Sequence, residues 1–138
     1  MNQETRSGNG KIVVFTCNWD PYNALETAAQ QEDIYPSNVY PLRVMCLGRL
    51  HPGIVLKALE KGASGVLLLG CPPDECHYES GNTRAEESFH KTQALARLLG
   101  FRDEQLALDW VAAGDGRAFA EKVTAFARAV GAAVSTNE

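Results

Sequence analysis

The segment Gly65-Val66-Leu67-Leu68-Leu69-Gly70-Cys71 carries no polar side chain. A β-strand sends successive side chains to opposite faces, so an unbroken apolar run has to be covered on both. That condition is met at the centre of a parallel sheet with helices packed on either side. The rest of the chain repeats the theme. Residues 11–17 are a second apolar, β-branched run, and residues 39–46 a third, in which Pro41 marks an irregular or edge position. Residues 106–112 alternate Leu106, Leu108 and Trp110, as a fourth strand would.

Helical patterns fill the gaps. Residues 21–32 place Pro21 in a first turn and Ala24, Leu25, Ala28 and Ala29 on a stripe. Residues 35–38 read as a turn. Residues 53–61 form a short helix with Ile54, Val55, Ala58 and Leu59 inward, ended by Gly62. After a loop over 71–83, residues 84–99 form a longer helix on Phe89, Ala94, Leu95 and Leu98, stopped by Gly100. Residues 116–130 form a last helix on Phe119, Val123, Phe126 and Val130. The order βαβαβαβα implies a single small doubly wound α/β domain with a mostly parallel four-stranded sheet. A flavodoxin-like order, 2-1-3-4, would set strand 1 between strands 2 and 3.

The chain has 138 residues, enough for one core without covalent staples. Residues 1–10 are polar and read as a disordered lead, residues 11–132 as the domain, and residues 133–138 as a tail. Net charge is −4 and no basic run occurs, which argues against nucleic acid as a partner. No apolar stretch reaches membrane-spanning length, and no signal core is visible, so we expect a cytoplasmic protein without membrane insertion.

The chain has four cysteines, and three of them end strand patterns: Cys17, Cys46 and Cys71. The fourth, Cys76, shares a loop with Cys71 in Cys71-Pro72-Pro73-Asp74-Glu75-Cys76-His77-Tyr78. Parallel strands share a direction, so three strand-end thiols fall on one edge, the edge where open α/β sheets bind ligands. As separate residues they would be small core side chains. A nucleophilic Cys71 is disfavoured by Asp74 and Glu75, which raise a thiol's pKa and repel phosphate. A Cys71–Cys76 dithiol has an unusual spacing for redox exchange. Structural zinc takes four thiolates, but no Cys-x-x-Cys knuckle is present. A 2Fe–2S cluster also takes four thiolates, and ligands dispersed over the loops of a preformed fold suit it. Arg43, Arg49 and His77 are candidate donors to its sulfides, and Trp19, Tyr22 and Tyr78 candidate shields.

Three segments carry a resemblance. Cys17-Asn18-Trp19-Asp20-Pro21-Tyr22, Arg43-Val44-Met45-Cys46-Leu47-Gly48-Arg49, and Gly70 through Asn82 together resemble motifs of the methyl-viologen-reducing hydrogenase delta-subunit family. Tyr35-Pro36-Ser37-Asn38 and the stretch from Lys57 to Val66 also match, so the similarity covers about residues 11 to 130.

The resemblance implies a small subunit with one 2Fe–2S cluster, held by Cys17, Cys46, Cys71 and Cys76. It implies docking to a flavin-containing heterodisulfide-reductase-like subunit. There the chain would relay electrons between that subunit and hydrogenase, formate dehydrogenase or benzoyl-coenzyme A reductase components, without itself making or breaking substrate bonds. Trp19, Tyr22 and Tyr78 would then form the docking patch. One position departs from the family pattern. The first motif in the family reads Cys-x-Trp-Cys, and Asp20 stands here in place of its second cysteine. A carboxylate is a harder ligand than thiolate, which favours all-cysteine ligation over Asp20 as an oxygen ligand. A cluster-free adaptor and a zinc module are the alternatives.

Overall fold

The computed structural model describes residues 10–17, 20–31, 36, 38–44, 47, 50–71 and 81–136; for residues 20, 81–83 and 132–136 it describes the backbone only. The strands are β1 (Ile12–Cys17), β2 (Val39–Val44), β3 (Gly65–Gly70) and β4 (Leu106–Trp110). The helices are α1 (Asp20–Gln30), α2 (Pro52–Glu60), α3 (Gly81–Leu98) and α4 (Gly116–Thr136). All strand pairs are parallel, and the sheet order is β2-β1-β3-β4. The doubly wound α/β reading therefore holds.

β3 is buried at all six positions, as its unbroken apolar run requires. Its Leu and Val side chains each contribute about 2 kcal/mol of burial. Even-numbered residues of β1 and odd-numbered residues of β3 meet α1 and α4, in a core of Ile12, Val14, Leu67, Leu69, Ala24, Ala28, Phe119, Val123, Phe126 and Val130. The other face, under α2 and α3, holds Phe15, Cys17, Leu47, Val55, Leu59, Val66, Leu68, Cys71, Ala85 and Ala96. This split follows from the winding. The chain leaves β1 in one direction and then crosses back over it to β3 and on to β4. Right-handed crossovers then put α1 on one face and α2 and α3 on the other.

Pro41 lies on edge strand β2. The Asn38 carbonyl accepts from Ile12 N, and the Leu42 carbonyl accepts from the buried Thr16 hydroxyl. Residues 38 and 42 thus turn their peptide groups towards β1, and Pro41 turns its donorless nitrogen to the open edge. A proline there blunts the edge against further pairing at no cost to the ladder.

Helix ends follow local chemistry. His51 caps α2, its Nδ1 accepting from Gly53 N at 2.8 Å. Gly62, at φ 110°, closes α2 with its N–H to the Leu59 carbonyl while Ala63 N donates to the Ala58 carbonyl. Gly100, at φ 96°, repeats the motif on α3 through Arg97 and Ala96. Both are left-handed C-terminal caps of the kind glycine permits.

Several expected contacts are corrected. Ala94 is exposed, and Leu95 and Leu98 are 43% and 83% exposed. α3 instead presses Ala85, Thr92 and Ala96 inward, with Phe89 half-buried. The steps of four, three and four between these positions trace one helical face. The small side chains let α3 approach closely, and the Thr92 hydroxyl donates to the Ser88 carbonyl at 2.7 Å, so its burial leaves it satisfied. Ile54 is exposed on α2 and Ala29 on α1, because Val55 with Leu59, and Ala24 with Ala28, set the inward faces. α3 begins at Gly81, α4 continues to Thr136 past the expected end at 130, and a short 3-10 turn at Asp103–Gln105 precedes β4. No described helix is long and apolar enough to cross a membrane.

Candidate metal centre

The carboxyl ends of β1 and β3 form the topological switch of this sheet. The chain leaves β1 towards one neighbour and leaves β3 towards the other, and such a point opens a crevice at the strand ends. Cys17 is the last residue of β1, and Cys71 directly follows β3. Their register neighbours Thr16 and Leu69 are paired. The two Sγ atoms stand 3.8 Å apart, and both side chains are buried, at 4% and 2% exposure. A disulfide would need about 2.05 Å, so the two are not bonded to each other. Two thiolates on one tetrahedral metal at about 2.3 Å stand roughly 3.8 Å apart. The two sulfurs are thus as close as a shared tetrahedral metal would hold them, which is also ordinary sulfur–sulfur contact, and soft donors of this kind suit iron–sulfur or zinc.

Gly70 ends β3 directly before Cys71. A Cβ there would meet the Trp110 ring at 2.8 and 3.0 Å and Leu47 Cδ1 at 3.2 Å. The missing side chain lets Trp110 and Leu47 close over the backbone beside Cys71. Leu47 is 4% exposed and belongs to the same core cluster as both cysteines, while Trp110, at the end of β4, is half-buried. Trp110, Leu47 and Gly70 were missed as site residues. The available signal was that Trp110 ends the fourth strand at the same sheet edge, and that Gly70 directly precedes Cys71.

The remaining expected residues divide as follows. Val44, the last residue of β2, is the register partner of Cys17. Cys46, Cys76, Trp19, Arg49, His77 and Tyr78 lie outside the described residues, as does the side chain of Asp20, the first residue of α1. The Arg43 guanidinium lies 4.6 Å from the centre of the Tyr22 ring. Alternation along β2 from Val39, which faces α1 and α4, gives Arg43 that same face. The Cys17 and Cys71 side chains belong to the opposite face. Tyr22 is half-buried, with one ring face taken by Arg43. Among the described residues no group of three or more His, Cys, Asp or Glu side chains is placed to hold a metal ion.

Comparison with known proteins gives concordant matches. The model of the family described as methyl-viologen-reducing hydrogenase, delta subunit, matches residues 12–132. The chain is 38% identical over 115 residues to an iron-sulfur subunit of the F420-non-reducing hydrogenase of Archaeoglobus profundus, covering 83% of this chain and 84% of that one. It is 38% identical over 109 residues to the vhc iron-sulfur subunit of the F420-non-reducing hydrogenase of Methanococcus voltae, covering 79% and 76%. It is also 35% identical over 117 residues to one subunit of the ferredoxin:CoB-CoM heterodisulfide reductase of Methanosarcina mazei. That match covers 85% of this chain and 15% of the larger protein.

Proposed function

The chain belongs to the methyl-viologen-reducing hydrogenase delta-subunit family, and from that premise we propose that it is an electron-transfer subunit carrying one 2Fe–2S cluster on Cys17, Cys46, Cys71 and Cys76. The observation that carries the proposal is the buried Cys17–Cys71 pair, with its Sγ atoms 3.8 Å apart at the switch point. The donor chemistry fits: thiolate is the ordinary ligand of such clusters, and the site needs no motion of β1 or β3 to offer two of them. When bound, the cluster supplies one-electron redox chemistry. The chain's own residues would hold it, with Leu47 packed in the same buried cluster as Cys17 and Cys71, at one edge of the sheet. Burial and hydrogen bonds to sulfur set a cluster's potential, so that packing is part of its tuning.

The partner in this proposal is a flavin-containing heterodisulfide-reductase-like subunit, with a hydrogenase, formate dehydrogenase or benzoyl-coenzyme A reductase component on the other side. Support comes from the larger relative, in which a segment similar to this whole domain occupies 15% of a heterodisulfide reductase polypeptide. A module built into such a polypeptide in one protein is a natural docking partner for it when encoded separately. The proposed setting is the cytoplasm.

The test is anaerobic isolation with iron, zinc and acid-labile sulfide measured together. Two irons and two sulfides per chain are expected, with visible absorbance that dithionite bleaches. A colourless chain that holds zinc, purified from cells supplied with iron, would sink the proposal.

A further inference from the structure

We infer that Lys122 is a positioning residue for Cys71. With Asp109 it clasps the open edge of β4 and so holds the Trp110 ring on Gly70, the residue directly before Cys71. This rests on the reading of Cys71 as a cluster ligand and deepens it.

The clasp lies where the strand has no neighbour. β4 pairs only with β3. Alternate residues of a strand turn their peptide groups to opposite sides. Val111 N donates to the Gly70 carbonyl at 3.0 Å, so residue 111 faces β3 and Trp110 faces the open edge. Peptide groups on such an edge have no ladder partner. Both of Trp110's are nonetheless taken. Its N–H donates to Asp109 Oδ1 at 2.8 Å, and its carbonyl accepts from Lys122 Nζ at 2.6 Å. Lys122 Nζ also donates to the same Asp109 oxygen at 3.0 Å. Each of these bonds has a charged partner, which makes it stronger and shorter than a neutral one.

Seating α4 does not account for this arrangement. Phe119, Val123 and Val130 already anchor that helix with no exposure at all. Lys122 instead reaches round the sheet. Alternation along β4 gives Asp109 the α1 and α4 face, with Ala107 and Val111, and gives Trp110 the opposite face, with Leu106 and Leu108. There Trp110 stands opposite Gly70 in the register. A Cβ on Gly70 would lie 2.8 Å from Trp110 Cζ3 and 3.0 Å from Cε3, so the ring takes the space a side chain at 70 would need. Glycine has the widest backbone freedom of any residue. At Gly70 that freedom is limited by the ring and by the bond from Val111. A tryptophan ring follows its backbone through only two torsions. Holding the peptide groups of Trp110 therefore holds the ring, the ring holds Gly70, and Gly70 sets where Cys71 leaves the sheet.

The test compares Lys122→Met, which keeps the apolar stem and loses the donors, with Lys122→Arg, which keeps donors and charge. Both are studied in the metal-free full chain. Near-ultraviolet circular dichroism reads Trp110, whose band is the part of the parent spectrum lost in Trp110→Phe. Lys122→Met should lose most of that band and Lys122→Arg should keep it. Iodoacetamide alkylation, mapped by peptide mass, reads the thiols. Cys71 should react about threefold faster in Lys122→Met through easier local opening, and Cys17, on β1, should gain less. A fold that is merely destabilised would speed both equally. In a Trp110→Ala background Lys122→Met should add nothing further to the Cys71 rate. A full Trp110 band in Lys122→Met, an unchanged Cys71 rate, equal acceleration of Cys17 and Cys71, or an undiminished effect in the Trp110→Ala background overturns the inference. Iron and sulfide content of the parent is measured apart, and a parent without a cluster defeats the 2Fe–2S reading while leaving these results as they stand.

Discussion

Gly116→Ala should lower stability through a collision that no side-chain adjustment can relieve. Gly116 opens α4 against α1, and a Cβ at that position would lie 2.6 Å from Ala28 N, 2.8 Å from Ala28 Cα and 3.0 Å from the Thr27 carbonyl carbon. Non-bonded heavy atoms prefer about 3.5 to 4.0 Å, so the overlap approaches 1 Å and is with backbone. Relief requires α1 and α4 to part, and overpacking of this kind costs about 1–3 kcal/mol. Alanine recovers some of this, up to about 1 kcal/mol, through better helix propensity and a less flexible unfolded chain. The net expectation is a loss of about 1–2 kcal/mol. At about 4 °C per kcal/mol for a domain of this size, Tm falls by about 4–8 °C. Urea unfolding followed by far-ultraviolet circular dichroism should show a lower midpoint and an unchanged slope. Since the contact is with Ala28's backbone, adding Ala28→Gly should not rescue the variant. The control is Gly62→Asn, where nothing lies within 4 Å and only the φ of 110° constrains the choice; it should stay within about 1 kcal/mol of the parent. A Gly116→Ala protein as stable as the parent, or a rescue by Ala28→Gly, refutes the reasoning.

Other outcomes follow from the same structure. His51→Ala removes the side-chain acceptor at the start of α2 and should cost about 1 kcal/mol in denaturant unfolding, with His51→Asp restoring most of it. Gly70→Ala should displace Trp110, read as a weakened tryptophan band in near-ultraviolet circular dichroism, whereas Gly100→Asn should leave that band unchanged. Leu98→Glu should change stability by less than about 0.5 kcal/mol in urea, because Leu98 is 83% exposed. The Arg97 side chain donates to Asp103 and holds that carboxyl below its ordinary pKa, chiefly through the hydrogen bond. A depressed carboxylate contributes stability above its unfolded pKa and loses it as pH falls through its folded one. Asp103→Asn should therefore lower stability at neutral pH and leave it near the parent's at acidic pH, so that the difference between the two narrows, and an NMR titration should find the Asp103 pKa unlowered in Arg97→Ala.

The strand order was legible because β3 is apolar on both faces and so had to lie inside, while Pro41 had to lie at an edge. The meeting of Cys17 and Cys71 was legible for the same reason: parallel strands bring their carboxyl ends to one side. The inward face of α3 was not. Large leucines at 95 and 98 looked like core, but the helix seats itself on alanines and a threonine whose hydroxyl is satisfied within its own turn. Periodicity alone does not say which of two stripes faces in when the bulkier one is left outside. The role of Trp110 was hidden for a different reason. Its contact is with an absent side chain, that of Gly70, and depends on two strands far apart in the chain being neighbours in the sheet.

Cys17 and Cys71 are separated by 54 positions along the chain. Neither thiol belongs to a pair until β3 has docked beside β1, after β2 and α2 have already been made. On a ribosome the pair comes into being only when the middle of the sheet closes, and on unfolding it is lost at the same step. Fraying of β2 or β4 at the edges leaves it intact. Occupation of the pair by metal is then a report that the central strands have formed, and metal bound there opposes global unfolding far more than local opening.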